Sequence, residues 1–307
     1  MHISEGLVEQ HIHGAFGIDF MSCTIEEMLE VAKKLAKYGV TAFFPTIMTD
    51  ELDIIKERIS VVKKAVELQN NKMAQIVGVH LEGPFISANK LGIHEKKYIQ
   101  PLNIDIYKKI EDDIIKIVTL APELDNDLID YLKSKDVKLS AGHCEASDLS
   151  KVEQVTHLYN AMGVFSHRDN STVVKALTND NIYTEIIADS MHICDDVLKL
   201  TFKQKPLNKI LLISDALPLA HSDKKEQIFA EQVIYNRNGK LVNETGTFAG
   251  SSMLLCDIIK NLSDKSLLKI EDALVCASSN QLKYHNLKNN LKVYWNSSNK
   301  IEKVEFI

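Results

Sequence analysis

Short apolar runs alternate with longer amphipathic segments along this chain of 307 residues, and the alternation repeats. The runs read LVEQHIHG (7–14), VTAFFPTI (40–47), IVGVHLEG (76–83), IIKIVTLAPE (114–123), VKLSAGHC (137–144), QVTHLYNA (154–161), YTEIIADSMH (183–192) and KILLISDA (209–216). Each starts β-branched or apolar and ends polar, which predicts eight strands. Helical spacing predicts helices over 24–38, 50–70, 124–135 and 195–203. Thr24 followed by Glu27 is a capping box, and Asp195 puts an acidic side chain at a helix start, where the dipole favours it. The connection 145–153 is short, so one helix there is expected to be degenerate. After residue 217 the pattern loosens, with helices expected near 251–262 and 271–282 before a polar tail. No internal repeat or low-complexity linker interrupts the chain. Strands interleaved with helices fit a doubly wound sheet or a (β/α)8 TIM barrel, and eight strands favour the barrel.

Composition narrows the function classes. The chain is 45% apolar and 25% charged, an ordinary globular balance. Its net charge of −6, without long like-charge blocks, argues against nucleic acid and anionic membranes as partners. Five scattered cysteines, none in a CxxC pair, fit a reducing compartment better than a disulfide framework. The first residues lack a signal-peptide pattern, and no apolar stretch reaches the ~18 residues that suggest a membrane span. A cytoplasmic protein is expected.

Position makes the polar residues informative. In a barrel of this type reactive groups come from the carboxyl ends of the strands and the loops after them. Those ends carry His11, His13, Glu82, His143, His157, His192 and Asp215. A lone histidine on an apolar strand is ordinarily a satisfied core residue, and one HxH pair is a weak signal. Five of the chain's 11 histidines at matched strand ends, with two carboxylates, point to a metal. Residues i and i+2 of a strand share a face, so His11 and His13 can grip one ion, and Gly14 lets the backbone turn away. Imidazole nitrogen with carboxylate oxygen suits Zn2+, with Fe2+ or Mn2+ as alternatives. His80 has the same two-residue spacing to Glu82, but only Glu82 precedes the Gly83-Pro84 turn that ends the strand. Asp215 can cap the next helix; in a metal site it can instead accept a proton from water whose pKa coordination brings toward ~7. Such machinery performs hydrolysis.

HxH on strand one, glutamate on strand three, histidines on strands five and six and aspartate on strand eight together resemble the amidohydrolase superfamily. GVHLEGPFIS (78–87), LGIH (91–94), LAPE (120–123), AGHCEAS (141–147), THLYNAM (156–162), IIADSMHI (186–193), LLISDA (211–216) and GTFAGSSM (246–253) narrow the likeness, in order, to the N-acetylglucosamine-6-phosphate deacetylase family. The match runs from about residue 7 to residue 285.

This resemblance implies a metal-dependent hydrolase that releases acetate from a phosphorylated N-acetyl amino sugar. Glu82, His143 and His157 would be the principal metal ligands. His11 and His13 would help hold a second ion, with Glu82 bridging and Asp215 beside it, so one or two ions are expected. Asp215 would be the general base and then acid, and His94 would polarise the acetyl carbonyl. Asn160, Ala161 and His192 would hold the sugar, with Phe248, Ala249 and Gly250 closing over it, and Arg168 would meet the phosphate. N-acetylgalactosamine 6-phosphate is the alternative substrate; a catalytically weak, ligand-binding relative is the alternative from another class, which would be expected to have lost Asp215.

The chain departs from the family in four places. Arg168-Asp169-Asn170-Ser171 replaces Arg-Glu-Pro-Gly, Ser190 stands where the family has glycine, and Glu9 stands for an aspartate. The family's small β-sandwich is expected to be missing or reduced to a C-terminal remnant, giving a barrel over 1–285 and a β remnant over 286–307. A homodimer is one way to cover the flank that the sandwich would cover.

Overall fold

The computed structural model describes residues 2–125, 127–135 and 137–307. All eight expected strands form. They are β1 (Leu7–Ile12), β2 (Val40–Met48), β3 (Val79–Glu82), β4 (Ile115–Leu120), β5 (Lys138–Ala141), β6 (Gln154–Val155), β7 (Tyr183–Ile187) and β8 (Ile210–Ile213). They pair in parallel in sequence order from β1 to β8, as a (β/α)8 barrel requires.

Helices cover the outside. The capping box at Thr24 forms, with Thr24 Oγ1 accepting from the Glu27 N–H and Glu27 Oε2 from the Thr24 N–H. It opens α1 (Ile25–Lys37), which buries Met28, Val31, Ala32, Leu35 and Ala36, one stripe at helical spacing. Helix α2 (Leu52–Leu68) buries Ile55, Ile59, Val62 and Ala65 in the same way. Then follow α3 (Ile104–Tyr107), α4 (Leu128–Lys133), α5 (Thr172–Thr178), α6 (Asp195–Gln204), α7 (Leu255–Asp264), α8 (Ile270–Leu274) and α9 (Asn280–Tyr284). The helix expected over 124–135 is shorter, and its range includes residue 126, outside the described residues. No helix forms over 145–153, where a degenerate unit was expected.

The seam between β8 and β1 is not a regular ladder. A single parallel bridge, Ile12 to Ala216, joins the two sides near the carboxyl end. Below it, side chains from the last helices take over. Asn280 Nδ2 donates to the carbonyls of Leu207 and Ile210, Gln281 Nε2 to that of Leu212, and Ser278 Oγ to that of Gly6, all at 2.7–2.8 Å. A π-helical turn, Val275–Ser279, lies between α8 and α9, and together these residues satisfy carbonyls along the open seam.

Two further sheets complete the molecule. Residues 226–251, where the sequence pattern loosens, fold into an antiparallel sheet of β9 (Glu226–Phe229), β10 (Gln232–Arg237), β11 (Lys240–Val242) and β12 (Phe248–Ser251). The tail forms β13 (Leu291–Trp295) and β14 (Ile301–Phe306), whose sheet takes a third strand, His2–Glu5, from the start of the chain. That strand lies outside the expected remnant range; HISE is too short and half-exposed a run to stand out in the sequence. Among the described residues, no helix is long and apolar enough to cross a membrane.

Candidate functional site

Three residues just past their strands carry left-handed backbone. His143, His157 and Asp215 follow β5, β6 and β8 with φ of 47°, 28° and 52°. Such values are uncommon outside glycine and persist where surrounding structure imposes them, often at functional positions. Gly250 keeps this corner open, since a Cβ there would lie 2.7 Å from the Asp215 carbonyl oxygen. A Cβ on Gly14 would strike the Ile18 carbonyl at 2.2 Å, which accounts for glycine immediately after His13.

Glu82, at the end of β3, is the hub. Its Oε1 lies 3.2 Å from His143 Nε2 and 3.0 Å from His157 Nε2, and those two nitrogens are 3.1 Å apart. Its Oε2 lies 3.3 Å from His13 Nε2 and 3.5 Å from His94 Nε2. Asp215 Oδ1 lies 3.2 Å from His13 Nε2 and 3.4 Å from His11 Nε2. Three sets bring three ligand atoms within 4.8 Å of one another: His11–His13–Glu82 and Glu82–His143–His157 around the hub, and His11–His80–Glu185 behind it.

The proton arrangement decides what these sets are for. His143 Nδ1 donates to the Lys90 carbonyl at 2.8 Å, so Nε2 is the nitrogen it turns toward Glu82 and His157. His11 Nδ1 donates to Glu185 at 3.0 Å. Its Nε2 then faces Glu82 and Asp215 without making a hydrogen bond. Lone pairs and carboxylates converging in a buried space repel one another unless a proton or a cation lies between them. This donor set, imidazole nitrogen with carboxylate oxygen, therefore fits a divalent metal. His80 is different. Its Nδ1 donates to the Gln10 carbonyl and its Nε2 is 2.7 Å from Thr119 Oγ1, so no lone pair is free for an ion.

The electrostatics follow from burial and charge. Burial pushes the Glu82 carboxyl up, but His11, His13 and His143 overcome it and hold the group well below the usual carboxylate range. Asp215 is lowered too, since the effect of burial is outweighed by His11 and His13. Burial and the neighbouring His143 bring His94 down to about 4. His192 moves the other way. Burial opposes its charge, but Asp189, which accepts from its Nδ1 at 2.8 Å, lifts it above the usual value.

Every predicted site residue except His11 and Arg168 lines one cavity of about 220 Å³. His11 is fully buried. Arg168 stands exposed in the 163–171 loop, where Ser166 Oγ accepts from its backbone N–H, and among the described residues no lysine or arginine lines the cavity. His192 lies in the turn after β7 rather than in the strand. Phe229 of β9 meets the His13 ring edge-on and Phe248 of β12 packs on His192, so the 226–251 sheet walls the cavity. Ser190 has φ of 64° and bonds the Asn261 side chain, outside the cavity lining, so its hydroxyl takes no substrate space. The sequence reading missed Met48, Gly92, Ile93 and Thr247 in the lining, and Glu185 and Asp189 behind it. For Glu185 the available signal was a carboxylate inside the apolar run of strand seven.

No family model matches the chain. N-acetylglucosamine-6-phosphate deacetylase of Bacillus subtilis (strain 168) is 32% identical over 292 residues, covering 91% of this chain and 74% of the relative. The Danio rerio protein of the same name is 30% identical over 302 residues, covering 90% and 73%. The crystal structure of the Thermotoga maritima enzyme of that name superposes with a TM-score of 0.91 at 26% identity, covering 99% of this chain and 87% of the other.

Proposed function

The chain belongs to the N-acetylglucosamine-6-phosphate deacetylase family, of the metal-dependent amidohydrolase type, and from that premise we propose that it hydrolyses N-acetylglucosamine 6-phosphate to glucosamine 6-phosphate and acetate. The observation that carries this reading is the convergence of His143, His157, His13 and Asp215 on Glu82 at the wall of one cavity.

Glu82, His143 and His157 would hold the principal ion, and His11 and His13, with Glu82 shared and Asp215 adjacent, a second. Zn2+ suits these ligands, with Fe2+ and Mn2+ as alternatives. A divalent cation so held supplies a Lewis acid that polarises a carbonyl and lowers the pKa of water to ~7. Asp215 remains ionised and so accepts the proton of the attacking water, then returns it to the amine nitrogen as the C–N bond breaks. His94, kept neutral by burial, is suited to donate a hydrogen bond to the acetyl oxygen without adding a charge. Asn160, Ala161 and His192 hold the sugar, Phe248 to Gly250 close over it, and Arg168 offers the phosphate a planar fork of donors.

The proposal extends to a barrel over 1–285 with a β remnant over 286–307, and to a cytoplasmic homodimer. A single chain's mass in light scattering would contradict the dimer. The activity is tested by stripping the protein of metal and restoring it. Acetate release from N-acetylglucosamine 6-phosphate should vanish and return with the ion, and His143→Ala should lose both tight metal and turnover. Turnover that survives complete metal removal would overturn the reading.

A further inference from the structure

The chemistry above leaves unused a buried carboxylate directly behind the site. Glu185, on β7, is fully shielded from solvent, yet its carboxylate is well partnered. Oε2 accepts from His11 Nδ1 at 3.0 Å and from the His157 backbone N–H at 3.2 Å. Oε1 accepts from Gln10 Nε2 at 2.5 Å, and Gln10 Oε1 in turn lies 2.7 Å from His285 Nε2. A buried charge this well satisfied is costly to assemble and points to a specific task.

We propose that Glu185 is a positioning residue for the second ion: by holding the His11 Nδ1 proton, it turns the Nε2 lone pair into the space shared by His13, Glu82 and Asp215. The inference rests on the reading that the His11–His13 pair takes an ion. An ionised carboxylate only accepts, so the 3.0 Å contact assigns a proton to Nδ1, and a ring that keeps this proton can bind an ion only through Nε2. Nε2 lies 3.4 Å from Asp215 Oδ1 and 3.5 Å from Glu82 Oε1 and hydrogen-bonds to neither. His13, His94 and His157 have no hydrogen-bond partner for Nδ1 among the described residues, so the fixed tautomer is a distinction of His11 over these neighbours. His80 supplies the contrast. Its ring centroid is 4.5 Å from that of His11 in the same barrel interior, but its two nitrogens are both engaged and it has nothing to offer a metal. A carboxylate on the outer nitrogen of a ligating histidine also makes the inner nitrogen a stronger donor, and losing such a partner typically weakens metal binding ~10–100-fold.

Glu185→Gln keeps the side-chain shape and can still accept from Nδ1 but lacks the charge. Metal-stripped wild type, Glu185→Gln and His11→Ala are each titrated with Zn2+ by calorimetry, with circular dichroism as the check on folding. Wild type should take two ions per chain in separable steps, and Glu185→Gln should weaken only the second step, by ~10–100-fold. His11→Ala should abolish that step, while the tighter step stays unchanged in both variants. A Glu185→Gln curve that superposes on wild type, with the step gone in His11→Ala, overturns the role of Glu185 and leaves the two-ion reading standing. One ion in both wild type and His11→Ala overturns the two-ion reading and this proposal with it. If Glu185→Gln does not fold, 15N spectra of histidine-labelled, Zn2+-loaded wild type decide the matter, with the His11 signals assigned by their loss in His11→Ala. A proton on Nδ1 of His11 supports the proposal, and a proton on Nε2 overturns it.

Discussion

Single residues set the chemistry, and their legibility in the sequence depended on spacing. His11, His13 and Glu82 could be read because a strand repeats every two residues and a turn marks its end. Glu185 and Asp189 were not, because a carboxylate that satisfies a histidine from behind leaves no spacing signature, and the one signal for Glu185, a charge inside an apolar run, does not say which histidine it serves. If Asp215 moves the proton, Asp215→Asn should keep the principal ion bound while turnover falls ~100- to 10,000-fold, as loss of a general base does. Metal analysis beside steady-state rates checks both halves. The Asp189–His192 pair carries a pH prediction. His192 is raised in the fold, so its charge interaction stabilises fully below the unfolded value of about 6.5 and is lost as the pH rises through the higher folded value. Asp189→Asn should therefore destabilise the protein more at pH 6 than at pH 9, measured by urea midpoints. An equal cost at both would remove the ion pair from the account.

Elements were legible where they are long and buried. Seven barrel strands lie within their predicted runs and β2 overruns its run by one residue, Met48, because continuous apolar residues are what a parallel strand buried on both faces requires. The antiparallel sheet over 226–251 escaped because its strands have three to six residues and mix exposed, half-buried and buried positions with no regular period. The Asn238-Gly239 dipeptide, both residues at positive φ, was the hairpin signal available there. The last helices conceal their task in the same way, since Asn280 and Gln281 look like ordinary polar helix residues until they are seen against the open seam. Asn280→Ala removes the donor from the Ile210 carbonyl, while that of Leu207 keeps the Ile210 N–H. A buried group left unsatisfied costs ~1–3 kcal/mol, so the urea midpoint should drop while metal binding is retained. An unchanged midpoint would mean that the seam does not need this bond.

At the scale of the molecule, one barrel end gathers the residues proposed as metal ligands, base and sugar holders, and the 226–251 sheet walls them in. The tail sheet packs elsewhere, and its buried Trp295, whose Nε1 donates to Ser4 Oγ, ties the chain's start to its end. This arrangement makes the site a product of closure, since β1 brings His11 and His13 beside Asp215 only when the barrel's two edges meet. The cavity lining offers histidines and carboxylates and, among the described residues, no lysine or arginine, so in the proposed reading recognition of the phosphate falls to Arg168 on its exposed loop. The most direct test is acetate release by the metal-loaded protein from N-acetylglucosamine 6-phosphate, from the unphosphorylated sugar and from the galacto epimer. The account predicts strong turnover of the phosphorylated gluco sugar and a raised KM for it in Arg168→Ala. No acetate from any of the three, with metal bound, would contradict it.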